Sequence, residues 1–389
     1  MRIPALSAAL AVLLACPPAK GEPQGRPPAP PPRDVSALLG PILERHGIPG
    51  MAGAVVAGER VVALGAAGVR ERGKEAKATT ADRWHLGSCT KAMTATLCAM
   101  LVEEGKLRWD STVGDAFRDL PKVDPKWRPV TLETLLLQRA GAPPDLSGDG
   151  LWGRLWNHRG TPQEQRVALA EGVLAKPPLH EPGSRFLYAN AHYALAGAMA
   201  ERAAKRPWED LLRERLFRPL GMDSAGFGAP GTRGRTDEPR GHDGEGTPVP
   251  PGPGSDNPAA IGPGGSVHAT IGDWAKFAAL HLEGARGKAR LLKAETFRRL
   301  HAVPGDSANG YAMGWIAARE PSPVGLVLTH AGSNTMWYCV ARIEPERGFA
   351  VLVCCNRGGD RAAGGCEEAA NALAGDHLRR EEEATKAGK

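Results

Sequence analysis

Charge of one sign is never concentrated in this chain. Its 49 Lys and Arg are scattered among 43 Asp and Glu, for a net charge of +6, and aromatic residues make up only 5%. Nucleic-acid binding wants a basic stripe with aromatics set into it, so that class of partner is excluded. Metal-ligand spacing is missing too. The seven cysteines include Cys89 and Cys98, nine residues apart on one expected helix, on opposite faces and about 13 Å apart, too far to bridge. Neither a metal nor a cofactor is expected. The cysteines read as buried small hydrophobes, with one bridge among Cys339, Cys354, Cys355 and Cys366 as the alternative.

The run "MRIPALSAALAVLLA", residues 1–15, carries one charge, Arg2, and is too short to span a bilayer comfortably, so it reads as an export signal. It ends on Cys16, where a lipobox would place an acylated cysteine, although Leu14 is not the small residue usual two positions before. Soluble export with cleavage inside "PPAKGEP" is the alternative. Either way the expected location is periplasmic or cell-surface, with a membrane as partner only through that anchor. Residues 16–33 have almost nothing apolar to bury. At ~3.1 Å per residue they make a tether of about 50 Å.

A globular domain is expected over 34–380. A helix is read at "DVSALLGPILERHG", then a hairpin turning at Gly58-Glu59-Arg60. The segment Ser88 to Glu104 is apolar nearly all round and must be buried. Residues 111–228 are mainly helical, and 229–266 form a Gly/Pro-rich loop longer than compact domains usually carry. After two short helices the pattern turns to strand, with a hairpin at Glu344–Gly348, and ends on a helix around 361–379 and a charged, frayed tail at 381–389. The fold class is α+β. An antiparallel sheet is built from the two ends of the chain (34–110 and 267–380) and flanked by helices, the helical lobe is inserted between them, and a cleft lies where they meet.

Within "HLGSCTK", Ser88 and Lys91 are three residues apart. On a helix that is about 60° round and ~4.5 Å along, within side-chain reach. Chance supplies about one Ser-x-x-Lys in a chain of this size, so spacing alone is weak. This one opens a buried helix, where a lysine loses its proton more easily and free N–H groups can receive an oxyanion. Of the four tyrosines only Tyr188 has an asparagine two residues on, Asn190, where an extended run meets a helix. A tyrosine hydroxyl can relay a proton, and an asparagine amide can hold a substrate carbonyl or the lysine. In "LTHAGSN" an edge-like strand presents His330, Gly332 and Ser333. Gly332 lets a substrate lie against the strand, and the Ser333 N–H can join that of Ser88. Trp152 and Trp156, one turn apart, read as helix packing rather than a cleft wall, and His192 as a satisfied residue.

Ser-x-x-Lys, Tyr-x-Asn and His-x-Gly in that order, with "EPGSRFLYANAHYALAGAMAE", "LLRERLFRPLGM", "GYAMGW" and "EPERGFAVLVCCN", resemble the class C β-lactamase-related serine hydrolases over most of residues 38–358. The resemblance implies an acyl-enzyme on an ester or amide (peptide) substrate. Ser88 is then the nucleophile, Lys91 and Tyr188 move protons, and Asn190, His330, Gly332 and Ser333 bind substrate. Class C β-lactamases carry lysine where this chain has His330, which is expected to be partly charged and a weaker anchor for a carboxylate. An esterase or peptidase is therefore preferred. A β-lactamase or D-Ala-D-Ala carboxypeptidase is the alternative, and a surface-tethered binding protein the alternative of another class. The family's His-Thr-Ser-Gly-like run is replaced here by "LLLQRAGAPP", where Gly141 keeps the turn.

Overall fold

Side-chain alternation along two apolar runs builds the centre of the molecule. In β10, Phe349–Cys355, every residue is buried. Phe349, Val351, Val353 and Cys355 enter one core, and Ala350, Leu352 and Cys354 enter the other. Strand β2, Gly50–Ala57, does the same with Met51 and Val55 against Ala52, Ala54 and Val56. A strand buried on both faces needs a layer on each side. Helices Ser36–His46 and Asp360–Ala387 cover one face, and Ile271–Ala285 covers the other.

The computed structural model describes residues 30–305 and 309–388. The expected export signal at 1–15, the expected acylation site Cys16 and most of the expected tether lie outside the described residues. Among the described residues ten strands form two sheets. Besides β2 and β10 they are β1 Arg33–Asp34, β3 Arg60–Gly68, β4 Arg83–His85, β5 Gly226–Phe227, β6 Val267–Thr270, β7 Ile316–Glu320, β8 Gly325–Ser333 and β9 Tyr338–Glu344. The larger sheet has the order β1-β3-β2-β10-β9-β8-β7, so the two ends of the chain do share one sheet. All its pairs are antiparallel except the two-residue β1, which lies parallel to β3 and takes Arg33 from the end of the expected tether. The second sheet, β4-β6-β5, was not foreseen.

The helical block 111–228 shares one continuous core with the buried helix Thr90–Glu103, through Leu132, Leu195, Trp208 and Leu216. At the other end, the tail expected to fray at 381–389 continues the last helix through Ala387. Its Glu, Ala and Lys residues are good helix formers, and Arg380 just before it reaches back one turn to Asp376. The six cysteines of the described residues are free and buried.

Candidate active site

Ser88 sits in a tight 3-10 turn, Gly87–Cys89, that runs straight into the helix Thr90–Glu103. The turn is pressed against the end of β8. A Cβ on Gly87, whose φ is +46°, would run into the backbone N of Ser333, and one on Gly332 would run into the carbonyl of Leu86. Both positions are glycine because two backbones meet there. This corrects the reading of Gly332: its open side faces the serine turn, not a substrate.

β7 pairs with β8 only as far as Thr329, so residues 330–333 are bonded to β9 on one side and have no strand on the other. That leaves an open strand edge beside Ser88. The Ser333 hydroxyl is occupied, donating to the Trp337 carbonyl at 2.7 Å and accepting from the Thr335 N–H at 2.9 Å, so only its backbone is available to the site.

Lys91, one turn after Ser88, is fully buried. Its Nζ lies 3.0 Å from Ser88 Oγ and donates to Asn190 Oδ1 at 2.7 Å and to the Gly264 carbonyl at 2.6 Å. Burial pulls the ammonium pKa down to about 7, with Cys89 acting weakly the other way. The two carbonyl acceptors hold the nitrogen whether or not it is charged. Once neutral, its lone pair has one direction left, toward the Ser88 hydroxyl.

Tyr188 completes the group. The Lys91 Nζ is 4.8 Å from its ring centre, and burial holds the phenol protonated, helped by Tyr311 and opposed by the Ser88 hydroxyl. Gln138 brackets Tyr188. Its backbone carbonyl accepts from the Leu187 N–H at 2.8 Å and its Oε1 from the Ala189 N–H at 3.0 Å. His192 is satisfied, as expected, lying 2.6 Å from Gln138 Oε1 and accepting from the Ala142 N–H at 2.9 Å.

His330 is brought to the same place, its ring 6.2 Å from Tyr311, which in turn packs edge-on to Tyr188. The expected partial charge is absent. Burial, reinforced by Lys91, drops its pKa to about 4, while the Ala331 carbonyl 2.6 Å from Nδ1 offsets this only in part. Trp152 and Trp156 stack edge-to-face 6.1 Å apart, and Trp156 lines a cavity of about 700 Å³ that none of the Ser88 group enters.

The acceptor at Gly264 escaped the sequence because a backbone carbonyl has no residue-type signature. Tyr311, at the centre of the aromatic wall, lies inside "GYAMGW" and had no role assigned. Among the described residues no cluster of His, Cys, Asp and Glu has the form of a metal site.

A partly buried serine beside a buried lysine whose pKa is drawn down to about 7, with a tyrosine against the lysine and an open strand edge alongside, defines a serine hydrolase of the β-lactamase and penicillin-binding-protein type. Known proteins agree. The family model described as Beta-lactamase matches residues 35–374, and the chain belongs to that family. Penicillin-binding protein 4 of Amycolatopsis lactamdurans is 30% identical over 328 residues, covering 80% of this chain and 82% of that one. Protein flp of Staphylococcus aureus (strain N315) is 22% identical over 326 residues, and the match spans 61% of that longer protein. Among solved structures, the octameric penicillin-binding protein homologue from Pyrococcus abyssi superposes with a TM-score of 0.70 at 25% identity, over 86% of this chain and 75% of that one. SurE, at 23% identity and a TM-score of 0.69, shares the fold.

Proposed function

We propose that the protein hydrolyses an ester or amide through an acyl-enzyme on Ser88. Neutral Lys91 takes the Ser88 proton as Oγ attacks the carbonyl carbon. The carbonyl oxygen becomes an oxyanion between the N–H groups of Ser88 and Ser333. As the tetrahedral carbon collapses, the leaving alcohol or amine takes a proton relayed through Tyr188 from Lys91. Water, deprotonated by the same groups, then attacks the ester and frees Ser88. The observation that carries this reading is the Lys91 nitrogen, held by Asn190 and Gly264 with its third direction on Ser88 Oγ at 3.0 Å.

The neutral state of His330 favours acyl groups without a carboxylate, hence esters or small peptides over β-lactams. A fluorophosphonate should label the wild type and not Ser88→Ala, and an unlabelled wild type would mean a binding protein with little turnover. Between substrates, p-nitrophenyl acetate should be cleaved with higher kcat/KM than nitrocefin. Fast nitrocefin turnover would make a β-lactamase the better reading, and release of D-Ala from a D-Ala-D-Ala peptide a carboxypeptidase. Export belongs to the proposal too: mass spectrometry of the mature N-terminus should find an acylated Cys16 or a start just after it, and an intact Met1 would overturn it.

A further inference from the structure

Two residues that the acyl-transfer scheme does not use are joined to the serine turn. His85, the last residue of β4, is buried, and its Nδ1 accepts the Gly87 N–H at 3.1 Å. A backbone N–H can only donate, so Nδ1 must carry the lone pair and the ring proton must be on Nε2. Nε2 lies 2.9 Å from Asp256 Oδ1, which therefore accepts that proton's hydrogen bond. The chain of bonds is directional. The carboxylate fixes the tautomer, the tautomer supplies an acceptor at Nδ1, and the acceptor holds the Leu86–Gly87 peptide, one peptide ahead of the one that carries the Ser88 N–H.

The surroundings keep the ring from turning away. It stacks on Trp337 with ring centres 5.6 Å apart, and the N–H of Leu86, the next residue, is held by the Val267 carbonyl at 2.8 Å. Asp256 is tied in by the Asn257 N–H at 2.7 Å, and its neighbour Ser255 offers a carbonyl to Asn334 Nδ2 at 3.1 Å. Trp337 and Asn334 belong to the β8–β9 connection, which begins at Ser333. One loop segment thus reaches both the turn bearing the Ser88 N–H and the strand end bearing the Ser333 N–H.

We propose that His85 and Asp256 are positioning residues for Ser88. They hold the Leu86–Gly87 peptide, and through Gly87 the Ser88 N–H and Oγ that follow it, in the orientation that receives the developing oxyanion. This rests on the reading of Ser88 as nucleophile. Neither residue touches substrate. Both act through the Gly87 amide.

The test is the second-order rate of fluorophosphonate labelling at Ser88. His85→Phe keeps the ring volume and the stack on Trp337 but has no acceptor. His85→Asn loses the ring but keeps an acceptor oxygen two residues before the Gly87 N–H, the geometry of an Asx-turn. Labelling should slow roughly a hundredfold in His85→Phe and recover to within about tenfold of wild type in His85→Asn. A purely packing role predicts the opposite order. Asp256→Ala, measured alongside, leaves the ring in place without its tautomer selector and should slow labelling about tenfold; it carries the test if His85→Phe does not fold. A wild-type rate in His85→Phe or in Asp256→Ala, or His85→Asn slower than His85→Phe, overturns the proposal and leaves the Ser88 reading intact. An unlabelled wild type removes both.

Discussion

Lys91 Nζ and Asn190 Oδ1 are 2.7 Å apart across the junction of two buried helices, 99 residues apart in the chain. The pairing sets a direction as well as a distance. An amide oxygen accepts from the lysine without adding a formal charge, so it favours the ammonium far less than a carboxylate in its place would. Burial is then free to bring the amine to about 7, where a base is useful.

The first consequence is a pH profile. Below about 7 the lysine is protonated and has no lone pair for Ser88, so labelling should fall about tenfold per pH unit on the acid side and level off above. His330, at about 4, and Tyr188, raised out of range, should add no break between pH 5.5 and 9. Rates across that range check this. A flat profile would remove Lys91 as the base.

Replacing the neutral acceptor with a charged one should move that limb. In Asn190→Asp a carboxylate stands against Nζ and favours the ammonium, so the midpoint should rise by about one pH unit or more. Activity at pH 7 should fall about fivefold or more and be largely regained near pH 9.5. A midpoint that stays put would show that Asn190 does not bear on the lysine.

Gly332→Ala tests the contact between the turn and the strand. The added methyl meets the Leu86 carbonyl, which is backbone and cannot swing aside. Displacing the turn by a fraction of an ångström to about 1 Å should cost roughly a hundredfold in labelling rate. A wild-type rate would mean that the two backbones have room the structure does not give them.

Arg166 addresses stability. It is buried, and Nη2 meets Glu201 Oε1 at 2.6 Å and Glu209 Oε2 at 2.8 Å, while Nη1 donates to the Ala259 carbonyl at 3.2 Å, five residues before Gly264. Arg166→Met leaves two carboxylates without their cation and should lower the unfolding free energy by about 3–5 kcal/mol in a urea titration. A loss under about 1 kcal/mol would show that water reaches the site.

How much of this could be read from the sequence depends on which atoms do the work. Ser88, Lys91, Tyr188 and Asn190 act through side chains at helix starts, where spacing and burial can be read from letters, and all four meet. The sheet joined from both ends was legible for the same reason, because β2 and β10 are uninterrupted apolar runs. Gly264 acts through a carbonyl and lies in a Gly/Pro-rich stretch that composition marks only as loop. The charge of His330 was misjudged because a histidine's burial is set by neighbours such as Tyr311, distant in sequence. The Gln138 bracket was hidden because two of its bonds depend on a left-handed backbone, φ +60°, at a residue that seldom adopts it.

The pairing of β2 with β10 sets a timetable for folding. Ala57 is partnered by Phe349, so the inner edge of the first hairpin stays open until nearly the whole chain exists. At about 5–20 residues per second of synthesis, that edge waits some 15–60 s. The serine turn gains β8 and β9 only in the same late stretch, so an unfinished chain has Ser88 and Lys91 without the strand they work beside. Closure across so long a separation is also slow in itself. A β2 edge of small residues such as Ala52, Gly53 and Ala54 gives a foreign strand little to grip during that wait.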